Sequence, residues 1–384
     1  MTQTITPVLF PPFLLATDGS PSAQVAQKLL AAIAQTLQAQ QNGNGRSLVT
    51  VLTVEPRRSS RSKRLPPKQA PVAPQATESA SVAPATDAAS DVLVELTALP
   101  SGDELATTLR PHFPVDVSIA VQVKQGRPAI EILRCARTIQ AGLIGVGSRG
   151  PSNRLGRLMG SVSVIIARYA PCSVLVARGA ASTAEPSLHH LLLVVNDSST
   201  TQQAIATAHQ LLPAGVQQIT ILYAQQPLNA DYLFGPFATP TPSWQLNQSL
   251  QDAQREQSEQ VLAHAKDTLN RPGVTVHTLR QTGDPGPLIC QIAQQRQVDL
   301  IVLGGNATRR WLRFPAGEAL FPLQSFRRSK PDEPKPDSLK SEDKSLVKPP
   351  PALRNTRLSA TEDYTLHHAP CPVLLCRTTA LAAN

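Results

Sequence analysis

Short apolar runs recur along this chain, each followed by a turn-forming group and then by a segment with helical character. The first is Phe13-Leu14-Leu15-Ala16-Thr17, then Asp18-Gly19-Ser20, with a helix starting near Pro21. A second run spans Leu48 to Val54, a later one Leu143-Ile144-Gly145-Val146, and the last Val174 to Ala177. The same order then returns. Leu191-Leu192-Leu193-Val194-Val195 is followed by Asn196-Asp197-Ser198 and a helix to about Leu212. Ile219 to Tyr223, Leu300-Ile301-Val302-Leu303 and Val373 to Cys376 complete the second series. Continuous apolar runs of this length predict parallel strands buried on both faces, and their alternation with helices predicts an α/β sheet with right-handed crossovers.

The two series are copies. Gly126-Arg127-Pro128 and Gly283-Asp284-Pro285 each open a helix with proline in its first turn, where a missing N–H costs nothing. Ala170-Pro171-Cys172 and Ala369-Pro370-Cys371 each precede the closing strand. The reading is therefore two domains, residues 1–180 and 188–378. Two stretches break the correspondence. Residues 56–90 and about 323–353 are rich in proline and charge and offer little to bury, which predicts disordered insertions.

Composition narrows the class. A chain of 384 residues with 41% hydrophobic content can build two buried cores. The net charge of +9 comes with only 4% aromatic residues and no stacking motif, which argues against a nucleic-acid partner. The five cysteines form no CxxC pair, so neither a disulfide framework nor a zinc site is expected, and a cytoplasmic location suits them. The run from Val8 to Ala16 has no Lys or Arg before it and reads as a strand rather than a signal segment. No apolar stretch is long enough to span a bilayer, so no membrane partner is expected.

The chemistry gathers in one segment. Gly147-Ser148-Arg149-Gly150 follows the strand ending at Val146, and nine residues later comes Gly160-Ser161-Val162-Ser163. Glycines let backbone N–H groups turn toward a ligand, and a helix opening at Gly160-Ser161 favours an anion. From Ile132 to Ala184 there is no Asp or Glu, whereas seven arginines fall within: Arg134, Arg137, Arg149, Arg154, Arg157, Arg168 and Arg178. The local field is expected to be positive. The competing reading is a tight loop held by glycine for its own sake. The segment also satisfies GxGxxG, but after a late strand and without the acidic residue that binds ribose, and GxxxxGK[ST] is missing.

With these residues in place, the chain resembles a tandem member of the universal stress protein family. The signature G-x2-G-x9-G-[S/T] is met by Gly147, Gly150, Gly160 and Ser161. The resemblance implies two open five-stranded parallel sheets, doubly wound in the flavodoxin-like manner and paired through their last strands as an intramolecular pseudo-dimer. It also implies ATP, accompanied by Mg²⁺, at the carboxyl ends of the strands. In that pattern Ala16, Thr17 and Asp18 lie by the nucleoside, and Val54 packs on the base. Asp18 reads equally as a turn acid, and Val54 more readily as core than as a contact to the base.

The second copy departs from the signature. Gly304 matches Gly147, but Ala307 stands at the second glycine, and the closing helix begins near Ser359-Ala360-Thr361-Glu362. A carboxylate there repels phosphate and can itself cap the helix. Nucleotide is thus expected in the first domain only. His189-His190 and His367-His368 lack a metal-like cluster and read as surface or helix-end residues, and Cys172 and Cys371 as small buried residues.

Three functions remain open. The first is an ATP-binding stress-response regulator. The second is a scaffold that binds no nucleotide but an unknown protein partner or further copies of itself. The third is an ATP-consuming enzyme. No residue reads as a general base aimed at a γ-phosphate, so hydrolysis is expected to be slow at most.

Overall fold

The computed structural model describes residues 9–40, 48–55, 106–107, 109–115, 117–150, 159–179, 188–226, 243–305 and 358–377. Both expected insertions lie outside these residues.

In the first half, β1 (Phe13–Ala16) leads to α1 (Pro21–Gln40) and β2 (Leu48–Glu55). Then follow β3 (Ser118–Gln125), α2 (Pro128–Thr138), β4 (Leu143–Gly147), α3 (Ser161–Tyr169) and β5 (Ser173–Ala177). The second half repeats this with β6 (His190–Val195), α4 (Thr201–Leu211), β7 (Gln218–Gln225), α5 (Ser243–Leu269) and β8 (Thr275–Thr282). It closes with α6 (Pro285–Gln295), β9 (Leu300–Gly304), α7 (Ala360–His368) and β10 (Val373–Cys376).

All of these strands join one ten-stranded sheet in the order β3-β2-β1-β4-β5-β10-β9-β6-β7-β8. Neighbours within each half are parallel, and the two halves meet where β5 and β10 run antiparallel, with Leu175 opposite Leu374. The expected pairing through the last strands is therefore present, and it makes a single continuous sheet.

The apolar runs are continuous because the strands are covered on both faces. Phe13 and Leu15 join a core layer with Leu30 and Ile33 of α1 that continues to Leu191 and Leu193 in the second half. Leu14 and Ile144 point the other way, into a layer with Ile132 of α2, Ile166 of α3, Ile289 of α6 and Leu366 of α7. Both layers cross the seam. Away from the seam strands, the Gln210 side chain joins the halves again, accepting from the Leu9 N–H at 3.0 Å and donating to its carbonyl at 3.1 Å.

Two strands were not marked by apolar runs. Ser118–Gln125 and Thr275–Thr282 are the sheet edges, and their mixed composition reflects partial exposure: β8 is exposed at most of its positions. His190 also departs from expectation. It is buried in β6, with Nε2 at 2.9 Å from Thr220 Oγ1 and Nδ1 at 3.2 Å from the Arg296 carbonyl, while His189 is exposed. His367 and His368 do end a helix, with Nδ1 atoms on the Asp363 and Tyr364 carbonyls. All five cysteines are free thiols, and Cys172 and Cys371 are buried. Among the described residues, no helix is long and apolar enough to cross a membrane.

Candidate functional site

In an open parallel sheet, a crevice forms at the carboxyl ends of the strands where the order reverses. Here that point lies between β1 and β4, and a cleft of about 310 Å³ opens there. The residues expected to meet the nucleotide line it. Ala16, Thr17 and Asp18 come from the end of β1, and Val146 and Gly147 from the end of β4. Arg149 and Gly150 follow on the loop, and Gly160 to Ser163 open α3. Val54 contributes from β2. Arg154, Arg157 and Ala307 fall outside the described residues.

The apolar wall is larger than the sequence suggested. Leu52 beside Val54 on β2, and Pro128 and Ile132 on α2, face the same space. Their period-2 and helical spacing marks them as core, and only the fold turns one edge of that core toward the cleft.

The loop after β4 is held from α1. Ser20 and Ser22 donate side-chain hydrogen bonds to the Arg149 carbonyl at 3.0 and 2.8 Å, and Ser22 Oγ accepts from the Arg149 N–H at 3.3 Å. These serines were missed because nothing in their spacing links them to residue 149. The start of α3 is tied in by Gly160 N–H donating to the Ser148 carbonyl at 2.8 Å and by Ser163 Oγ donating to the Gly147 carbonyl at 2.6 Å.

Glycine serves different ends at different positions. A Cβ on Gly147 would come within 2.6 Å of the Ala23 backbone nitrogen, so the close approach of α1 requires glycine there. Gly304 has the same role against the Thr200 carbonyl, at 2.4 Å. Gly160 has φ −69°, open to any residue, and a Cβ there would meet nothing closer than 3.4 Å among the described residues. At Gly150 a Cβ would meet, among the described residues, only Asp18 Oδ2, at 3.0 Å. Packing thus demands glycine at Gly147 and Gly304, while at Gly150 and Gly160 a side chain would chiefly intrude on the cleft.

The two closing helices differ at their first turn. At Gly160 no side chain caps α3, and Ser161, Val162 and Ser163 of its first turn line the cleft. At the equivalent position Ser359 caps α7: its Oγ accepts from the Glu362 N–H at 3.2 Å, while Glu362 Oε2 accepts from the Ser359 N–H at 3.0 Å. This is a complete capping box. The carboxylate expected to close the second helix does so.

Asp18 Oδ1 accepts from the Ser20 N–H at 3.0 Å, which is the turn role, and Oδ2 faces Gly150. Asn196 makes the same bond to Ser198 in the second half, also at 3.0 Å. Val54 both packs against the core and lines the cleft. Arg178 lies near enough to Arg149 for that second positive charge to add to burial in lowering its pKa. Burial pushes the Cys172 and Cys371 thiols up to about 12, which keeps them protonated and unreactive near neutrality. Among the described residues, no group of three His, Cys, Asp or Glu side chains is placed to hold a metal ion.

This is the arrangement of a tandem doubly wound α/β protein with a glycine-lined crevice in its first half. The model of the universal stress protein family matches residues 10–178 and again 187–318, and the chain belongs to that family. The second match ends before α7 and β10, yet these complete the second half of the sheet just as α3 and β5 complete the first. Among solved structures, the chain is similar to a functionally unknown protein of Pseudomonas aeruginosa PAO1, with 14% identity, 97% of this chain and 94% of that chain covered, and a TM-score of 0.52. A universal stress type protein from Pseudomonas aeruginosa UCBPP-PA14 shows 14% identity, the same coverages and a TM-score of 0.51. At these identities the likeness speaks to the fold alone. Among curated proteins none matches.

Proposed function

We propose that the chain is a cytoplasmic stress-response regulator that binds ATP in its first domain, residues 1–180, and none in its degenerate second domain, residues 188–378. The observation that carries this is the uncapped start of α3, set beside two glycines that packing does not demand, where the equivalent start of α7 is closed by its own carboxylate. Phosphate oxygens are read by the N–H groups of Gly150, Ser161 and Val162 and steadied by the charge of Arg149. The base rests against Leu52, Val54 and Ile132, and Asp18 Oδ2 is the group available to the ribose. Mg²⁺ enters with the nucleotide, held by phosphate oxygens and water, as suits an ion that seldom needs an all-protein cage.

Lining the cleft, Asp18 is the carboxylate, and Oδ1 is already committed to the turn. Among the described residues no other carboxylate and no histidine lines the cleft, which suits the site to holding ATP rather than turning it over. The test is to denature purified protein and assay released nucleotide, with Gly160→Asp in parallel. Bound adenine nucleotide in the wild type and none in the variant supports the reading. None in either supports the scaffold reading, and turnover near 1 per second or faster supports an enzyme.

A further inference from the structure

The arginine that follows the last strand of each half stands at an equivalent position, six residues after the cysteine of Ala-Pro-Cys: Arg178 in one copy and Arg377 in the other. Both are nearly sealed from solvent, at 9% and 2% exposed. Each crosses the β5/β10 seam to the closing helix of the other half. Arg178 Nη2 donates to the Leu366 carbonyl of α7. Arg377 donates through Nη2 to the Ala167 carbonyl of α3 and through Nη1 to the Ala170 carbonyl at 3.2 Å. Leu366 and Ala167 are themselves equivalent residues, so the exchange is reciprocal.

Consequences on the two sides differ. The far end of α7 is closed by Ser359 and Glu362, whereas the far end of α3 opens the cleft. A cation among the last carbonyls of a helix satisfies acceptors that have no intrahelical partner and reinforces the dipole whose positive end lies at the N-terminus. Arg377 is anchored for this. Its N–H donates to Ser173 Oγ at 3.1 Å, and Ser173 Oγ lies 3.3 Å from the Arg377 carbonyl. The Glu362 carboxylate, buried at 5% exposed, bears electrostatically on the guanidinium. The residue that closes the second copy's helix thereby also serves the arginine given to the first.

We propose that Arg377, supplied by the second half, is a positioning residue for the phosphate cradle of the first: it fixes the height and tilt of α3, and with them the N–H groups of its first turn. The inference rests on the nucleotide reading above. Along a nine-residue helix the effect travels about 13 Å. That exceeds the Debye length of about 8 Å at physiological salt, so placement of the helix outweighs direct attraction. The copy without a cradle is then required by the copy that has one.

The test compares full-length wild type with Arg377→Met, Arg377→Lys and Leu269→Ala. The last removes a fully buried side chain from α5, far along the chain from the seam, and controls for lost stability. Arg178 is unsuitable as a control because its charge bears on Arg149. Calorimetry with ATP and hydrogen exchange of the nucleotide-free chain are both read. Arg377→Met is expected to weaken ATP binding about tenfold with the number of sites unchanged, and to lower amide protection in α3. Arg377→Lys, which keeps the charge but loses the fork, recovers part of this, and Leu269→Ala changes neither. Should Arg377→Met fail to fold, Arg377→Lys carries the comparison, at about threefold. ATP affinity within twofold of wild type with α3 protection unchanged would overturn the proposal. Wild type that binds no ATP would overturn the nucleotide reading instead, and α3 protection alone would then decide whether Arg377 holds the helix.

Discussion

The starts of α3 and α7 occupy equivalent places in two copies of one design, and they handle the same physical problem in opposite ways. A helix leaves its first N–H groups unsatisfied. In the second half, Ser359 and Glu362 satisfy the N–H groups of Glu362 and Ser359 from within the chain, and Glu362 is buried in doing so. In the first half, Gly160 supplies no capping side chain, and the first turn of the helix lines a cleft at the switch point of the sheet. What survives in both copies is what the fold needs: Gly147 and Gly304 under their helices, and Asp18 and Asn196 in the turn after the first strand. What differs is what a ligand would need.

The largest effect that sharpens this contrast is at the cradle itself. Gly160→Asp places a carboxylate where phosphate is expected, and calorimetry should show ATP affinity falling by about 100-fold or more. The thermal midpoint of the nucleotide-free protein should move little, because φ at Gly160 is ordinary. A large loss of stability in place of a loss of binding would show that Gly160 serves the fold.

Next come the glycines that the two halves share. Gly147→Ala and Gly304→Ala each force a Cβ into backbone within 2.6 Å. Each should cost about 1–3 kcal/mol in chemical denaturation. Equal costs would confirm a shared packing role. A cost at Gly147 far below that at Gly304 would assign Gly147 to the ligand instead.

A smaller effect separates the helix starts. Ser359→Ala removes half of the capping box and should lower stability by about 1 kcal/mol, while Ser161→Ala should leave the stability of the nucleotide-free chain nearly unchanged. Finally, pH distinguishes the second half through His190, whose pKa burial lowers from 6.5, although the hydrogen bond to the Arg296 carbonyl and the Asp299 charge oppose the shift while the Arg296 and His277 side-chain charges reinforce it. With the folded pKa below the unfolded one, the neutral ring's contribution is complete above about pH 6.5 and is lost as pH falls through the lower folded value. His209, also lowered by burial, acts in the same direction. The thermal midpoint should therefore fall between pH 7 and pH 5, and His190→Gln should reduce that fall.

Much of this was legible in the sequence because the central strands are buried on both faces and must be apolar throughout. Leu143 to Val146 and Leu300 to Leu303 announce themselves. The edge strands β3 and β8 do not, since partial exposure lets Gln122, Lys124, His277 and Arg280 stand among their apolar residues. The cradle was legible as glycine spacing before a helix. Its support was not. Ser20 and Ser22 meet residue 149 only through the fold, and Arg377 reaches Ala167 across 210 positions of chain. His190 was misjudged because a histidine pair beside a leucine run resembles a strand edge, whereas Thr220 and the Arg296 carbonyl provide it with buried partners.

The most direct test of the account is titration of ATP into the intact chain, with wild type, Gly160→Asp and Glu362→Gln compared. The account predicts one nucleotide per chain in the wild type, none in Gly160→Asp, and still one in Glu362→Gln. Two nucleotides per wild-type chain, or no binding to well-folded wild type, would contradict it.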